Sequence, residues 1–239
     1  MIKFFRKIRR NLLMENKTGK YFKYAIGEIV LVVIGILIAL QINNWNNDRK
    51  DADLEIKILK EISSNLNSDI SDIEHQINFN NLLIKHNSSV LNHLINKTAL
   101  TDSLKHSYSF LWGYGHFSGN TVGYENLKSR GVSLIKDDLL RNAISELYEN
   151  TYFGIAINIR PSIQSIQEIH MNQLVSKIKH QELYVTAEPI NLQLLQHDLQ
   201  FQETLKRVVH SRKWTNTYFE EGKLEMKKVL EQIEKKLNE

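Results

Sequence analysis

The sequence predicts an all-α protein: one N-terminal transmembrane helix, then a long amphipathic helix, then a helical bundle. Three observations carry this prediction. Residues 24–42 form an apolar run broken by a single charge. Between Gly35 and Gly113 there is no glycine, and the first proline is Pro161, so nothing in 36–112 must interrupt a helix. Apolar residues in the remainder recur every three or four positions, and no stretch alternates convincingly at period 2. The expected divisions are a basic cytoplasmic arm over 1–23, a transmembrane helix over 24–42, a juxtamembrane long amphipathic helix over 43–100, and a bundle over 101–239.

The span comes first. A helix over the 19 residues Tyr24 to Ile42 is about 28 Å long, close to the hydrocarbon thickness of a bilayer. Twelve of the 19 are Ile, Val or Leu. At roughly −0.5 kcal/mol each they favour insertion by about −6 kcal/mol, more than the roughly +3 kcal/mol a central acid costs. Insertion therefore wins despite Glu28. A cleaved signal peptide would have a shorter apolar core and a small-x-small site, and "LQINNWNND" supplies none. Eight Lys and Arg against Glu15 alone give residues 1–23 a net charge of +7; with +4 overall, the rest carries −3. That asymmetry keeps the N-terminus cytoplasmic and sends the bulk outward. Tyr21, Phe22 and Tyr24 are expected at the inner interface and Trp45 at the outer one. Because the basicity is confined to one arm, nucleic acid is not an expected partner.

Glu28 has two readings. It can snorkel to the headgroups near Lys23. It can also mark an interface, because Gly35 and Ala39 lie within about 20° of it on the helix. Gly35 and Ala39 form a small-xxx-small pair of the kind that lets another transmembrane helix approach.

Beyond the span, Leu59, Ile62, Leu66, Ile73, Leu83, Val90 and Leu94 fall on a heptad-like frame, interrupted by Asp69, Asn80 and Asn87. They predict one amphipathic helix from about Ala52 to Asn96. The preceding "NNWNND" has poor helix propensity and reads as a hinge, the alternative being a helix continuous with the anchor. The segment Leu104 to Gly131 holds five of the ten glycines and a run of aromatics. Trp112, Tyr114, His116, Phe117 and Tyr124 are its candidate pocket or partner groove. The alternative is a helix-loop-helix corner, with the aromatics packed on the bundle and the glycines at positive φ.

Asp137 and Asp138 read as a cap for a helix presenting Leu139, Leu140, Ile144, Leu147 and Tyr148. Pro161 opens a helix expected to reach His180, with Ile163, Ile166, Ile169 and Leu174 inward. Residues 181–198 read as a connection with short helical pieces. Phe219, Met226, Leu230, Ile233 and Leu237 keep the spacing of a seam in a last helix, Leu199 to Leu237.

Chemistry is sparse. There is no cysteine, so disulfides, thiol nucleophiles and thiolate metal sites are excluded. The nine histidines form no tight ligand pair; His86 and His93 share a face and read as solvated positions. Glu168 and His170 should face different ways. No nucleophile–base motif is present. No catalytic residue, metal or cofactor is expected.

The stretches "MIKFFRKIRRNLL", "KYFKYAIGEIVLVVIGILIALQINNWNN" and "GYENLKSRGVSLIKDDLLRNAISELY" resemble a family of uncharacterised single-pass membrane proteins common in Bacteroidota. The resemblance implies a bacterial inner-membrane protein with a periplasmic helical domain, and it implies no activity. It puts Glu28, Gly35, Tyr124, Leu127 and Gly131 in the motif blocks without roles. The expected function is a membrane-anchored, non-enzymatic interaction or scaffold protein. Its partner would be a second copy or another transmembrane protein. The alternative is a ligand-binding or sensor module acting through such a partner.

Overall fold

The structure is a computed structural model that describes residues 18–115 and 117–238. Residues 1–17, with most of the basic arm, and His116 lie outside the described residues, as do the side chains of Tyr21 and Tyr24. The fold is all-α apart from one small hairpin. In chain order the elements are α1 (Thr18–Asn96), α2 (Asp102–Ser109), α3 (Val122–Arg130), α4 (Asp138–Glu146), two π-helical stretches (Leu147–Tyr152 and Ile155–Ile159), α5 (Arg160–Lys177), β1 (Ile178–Glu182), β2 (Thr186–Pro189), α6 (Leu192–Gln196) and α7 (Leu199–Leu237). The chain divides into two units, Met1–Glu55 and Ile56–Glu239.

In the first unit, α1 contains the one helical run among the described residues that is long and apolar enough to cross a membrane. All twelve of its Ile, Val and Leu side chains between Ile26 and Ile42 are exposed. Of the two alternatives for "NNWNND", the continuous helix forms and the hinge does not: Asn43 to Asp48 are helical. Polar residues of modest propensity are tolerated inside a long helix because each costs only a few tenths of a kcal/mol, up to roughly 0.7.

In the second unit, α1 buries one stripe. Leu59, Ile62, Leu66, Ile73, Leu83, Val90 and Leu94 are all at 0–1% exposure. Asp69, Asn80 and Asn87 are buried on the same stripe. The polar positions therefore face the core instead of interrupting it. α7 carries the matching stripe: Phe201, Leu205, Val208, Phe219, Met226, Leu230 and Ile233 are buried, while Leu237 is half-buried. One end of the core gathers Val90, Leu94, Tyr108, Leu111, Leu174, Ile178, Phe201 and Leu205. Burial of such side chains stabilises by about 1.5–3 kcal/mol each.

Asp137 caps α4, its Oδ1 accepting from the Leu139 and Leu140 amides at 2.9 and 3.1 Å. This sets Leu140, Ile144, Leu147 and Tyr148 inward, but Leu139, 81% exposed, points out. The π-helical stretches follow without a break in the helical path. α5 ends at Lys177, short of His180, and its Ile169 is exposed where Leu174 is buried. The segment expected to be a connection contains the hairpin. β1 and β2 are antiparallel, pairing Ile178 with Pro189 and His180 with Ala187. β1 buries only Ile178 and turns through Tyr184 at positive φ, so it offers neither alternation nor a glycine turn signal.

Candidate functional site

Three places hold candidate functional side chains. The first is the apolar stretch of α1. Glu28, Gly35 and Ala39 sit on α1, and a Cβ built on Gly35 would meet nothing within 4 Å. The small-residue face is thus uncovered by the described residues. Ala39 is exposed and Glu28 half-exposed.

The second is the aromatic segment 104–131. Trp112 stacks on His180 of β1, centroids 5.4 Å apart. Tyr114 Oη is 2.8 Å from His170 Nδ1. Phe117 packs edge-on to Phe219 at 5.8 Å. Tyr124 stacks on Tyr148, and Tyr148 on Tyr152, each pair at 4.6 Å. The residues are therefore dispersed along the bundle and do not wall one common pocket. Tyr114 and Phe117 share a cavity of about 260 Å³ with Arg160, and Tyr124 faces a different one of about 330 Å³. Among the described residues of the segment, only Gly119 and Gly131 have positive φ. Gly113 and Gly123 serve close approach: an added Cβ would lie 2.4 Å from Leu83 Cδ2 and 3.0 Å from Ile62 Cγ1 respectively.

Below Tyr152 lies Asp69, whose Oδ2 accepts from Tyr152 Oη at 2.5 Å and from the Asn120 amide at 2.8 Å. Burial raises the Asp69 carboxyl above its ordinary value, and the two donors oppose that rise. Burial likewise pushes the Tyr148 and Tyr152 phenols far up, so both stay protonated.

The third place is the seam between α5 and α7, centred on Arg212. This buried guanidinium donates from Nη2 to the Gly113 carbonyl at 2.6 Å and from Nη1 toward Asn80 Oδ1 at 3.5 Å. It lies over the Tyr114 ring, 5.2 Å from the centroid. Burial lowers its pKa to about 10, and burial together with Arg212 lowers that of the fully buried His170 to about 3. A groove of about 540 Å³ opens beside it, lined by Ile166, Ile169, Arg207, His210 and Trp214 among others. Such a seam can receive an apolar group and, at Arg212, a negative one. Sequence reasoning did not single out Arg212. The signal was available: one heptad back along the seam from Phe219 is position 212.

Three of the described histidines, His86, His93 and His170, are drawn into the packing. His93 is buried, 2.8 Å from Thr98 Oγ1, and half-buried His86 stacks on Phe110 at 4.0 Å. Neither is a solvated position, and burial lowers the pKa of both. Glu168 is exposed and His170 buried, as their spacing requires. Among the described residues, no group of three His, Asp or Glu could hold a metal ion.

These features define an all-α protein with one exposed apolar helix and a domain packed around two heptad stripes. Residues 28–194 match a family of unknown function (DUF6090), and the chain belongs to that family. No curated protein and no solved structure matches it.

Proposed function

We propose that this chain is a membrane-anchored, non-enzymatic interaction protein of the bacterial inner membrane. Its N-terminus is cytoplasmic and its helical domain periplasmic. The observation that carries the proposal is the exposure of all twelve aliphatic side chains between Ile26 and Ile42. In water each would forfeit the roughly 1.5–3 kcal/mol that burial provides, whereas in hydrocarbon none does. The orientation rests on the basic residues before the span. The binding role rests on the open, exposed small-residue pair Gly35 and Ala39, on the same face as Glu28, which suits a second transmembrane helix from another copy or another protein. The non-enzymatic reading is supported by the engagement of His86, His93 and His170 in packing, with each held neutral by burial.

Membrane fractionation of cells expressing the full chain tests this. The anchored reading expects the protein to resist alkaline carbonate extraction, and protease added to spheroplasts to remove the C-terminal domain. Release into the carbonate supernatant, or a C-terminus protected in spheroplasts, would contradict it.

A further inference from the structure

The core does not account for the charge on Arg212. The residue is 7% exposed, and among the described residues no carboxylate pairs with it. Gly113 and Asn80 satisfy some of its N–H groups with neutral acceptors, and Nε donates to nothing. A buried charge is ordinarily balanced by a partner of opposite sign. Tyr114 and His170 beside it do not balance it: burial holds His170 neutral and raises the Tyr114 phenol to about 12.

A space of about 20 Å³ lies against Arg212, with Gln167, Ser211 and Thr215 also in its lining. That is room for roughly one water-sized atom. The space shares Ile166 and Ser211 with the 540 Å³ groove. The groove falls within the range of about 300–1,000 Å³ of ordinary ligand pockets. Its walls include Ile166, Ile169 and Trp214, and Arg207 and His210 add basic groups beside them.

We infer that the α5–α7 seam binds an aliphatic monocarboxylate, its head directed to Arg212 and its chain along Ile166, Ile169 and Trp214. A carboxylate oxygen fits the small space, supplies the missing negative charge and accepts from a guanidinium. The hydrocarbon covers walls that are otherwise wet. The space receives one oxygen of a head group, which leaves a planar carboxylate one other oxygen to place but a phosphate two or three, with more charge than the single Arg212 balances. The inference rests on the helical domain being a binding module and is independent of the anchor.

The test uses the full chain in phosphatidylcholine nanodiscs with dodecanoate bearing a terminal diazirine. Photolabelled peptides are mapped by mass. The expected labels fall on the segments containing Ile166–Ile169 and Trp214. Excess dodecanoate should suppress them at least tenfold, whereas dodecan-1-ol and acetate should not. Arg212→Met should cut labelling at least tenfold in protein whose cooperative thermal melt shows that it is folded. Ile166→Trp, which fills the groove and keeps the charge, should cut it similarly. Absence of seam labels, or labels confined to the span, would overturn the inference. Equal suppression by dodecan-1-ol would remove the role of the charge, and equal suppression by acetate would remove the role of the groove; either overturns it. If Arg212→Met does not fold, Ile166→Trp and the alcohol comparison decide. Failure here with the protein still carbonate-resistant would leave the anchor reading intact.

Discussion

At the residue scale, the glycines separate by what surrounds them. Gly113 faces fully buried Leu83 at a distance no Cβ tolerates, whereas a Cβ on Gly154, which has helical φ and ψ, meets nothing within 4 Å. Gly113→Ala should therefore lower stability by about 1–3 kcal/mol. Gly154→Ala should raise it by up to about 1 kcal/mol, both read by denaturant unfolding. Asp69 is a second discriminating position. Asp69→Leu orphans the Tyr152 hydroxyl and the Asn120 amide and should cost about 2–4 kcal/mol; Asp69→Asn keeps an acceptor and should cost less. Because the folded-state pKa of Asp69 is raised, its favourable contribution is complete below the ordinary carboxylate range. It is lost as pH rises through the folded value. The wild type should thus lose stability relative to Asp69→Asn as pH rises toward neutrality. His170 has the opposite sign. Its folded pKa is depressed from 6.5 to about 3, so its contribution is present above 6.5 and lost as pH falls toward 3. Thermal melts from pH 7 to 4 should show a shallower acid decline for His170→Gln than for the wild type.

At the element scale, the heptad spacing in 56–96 and 199–237 made both long helices legible, because burial on one stripe demands it. Leu66, on that stripe, should cost about 2–5 kcal/mol on change to alanine. Leu82, exposed on the other face, should cost less than about 1 kcal/mol. Asn80 and Asn87 lie on the α1 stripe, where the spacing shows them only as interruptions, and Arg212 lies on the α7 stripe, where a search for apolar positions passes it over. Asn80 and Arg212 are buried against partners more than 90 residues away, Asn216 and Gly113 respectively. The α5–α7 groove was illegible for the same reason: Ile166 and Ile169 read as core positions, and only the packing of two helices leaves them at an open wall. The hairpin was hidden because β1 buries only Ile178, and β2, at four residues with Ala187 and Pro189 inward, is too short and too poor in β-branched side chains to show its alternation. Asn43 to Asp48 stayed helical because weak propensity does not break a helix.

At the scale of the whole molecule, the proposed function places the apolar helix in a membrane, with the face of Glu28, Gly35 and Ala39 as its contact with a second helix, and leaves the helical domain to bind through the seam between α5 and α7. The Gly35 face carries no described part of the chain, and a larger residue there would keep a neighbouring helix away. Gly35→Leu should therefore dissolve any complex made through the span while leaving membrane insertion unchanged, as read by native electrophoresis of extracted membranes. The most direct test is in-cell photo-crosslinking from a photoreactive residue at Gly35 or Ala39, with Leu37 as the control on another face. The account predicts products from 35 and 39 and none from 37, with a mass that identifies a second copy or another membrane protein. Equal crosslinking from all three positions, or none from any, would contradict it and reduce the span to a tether.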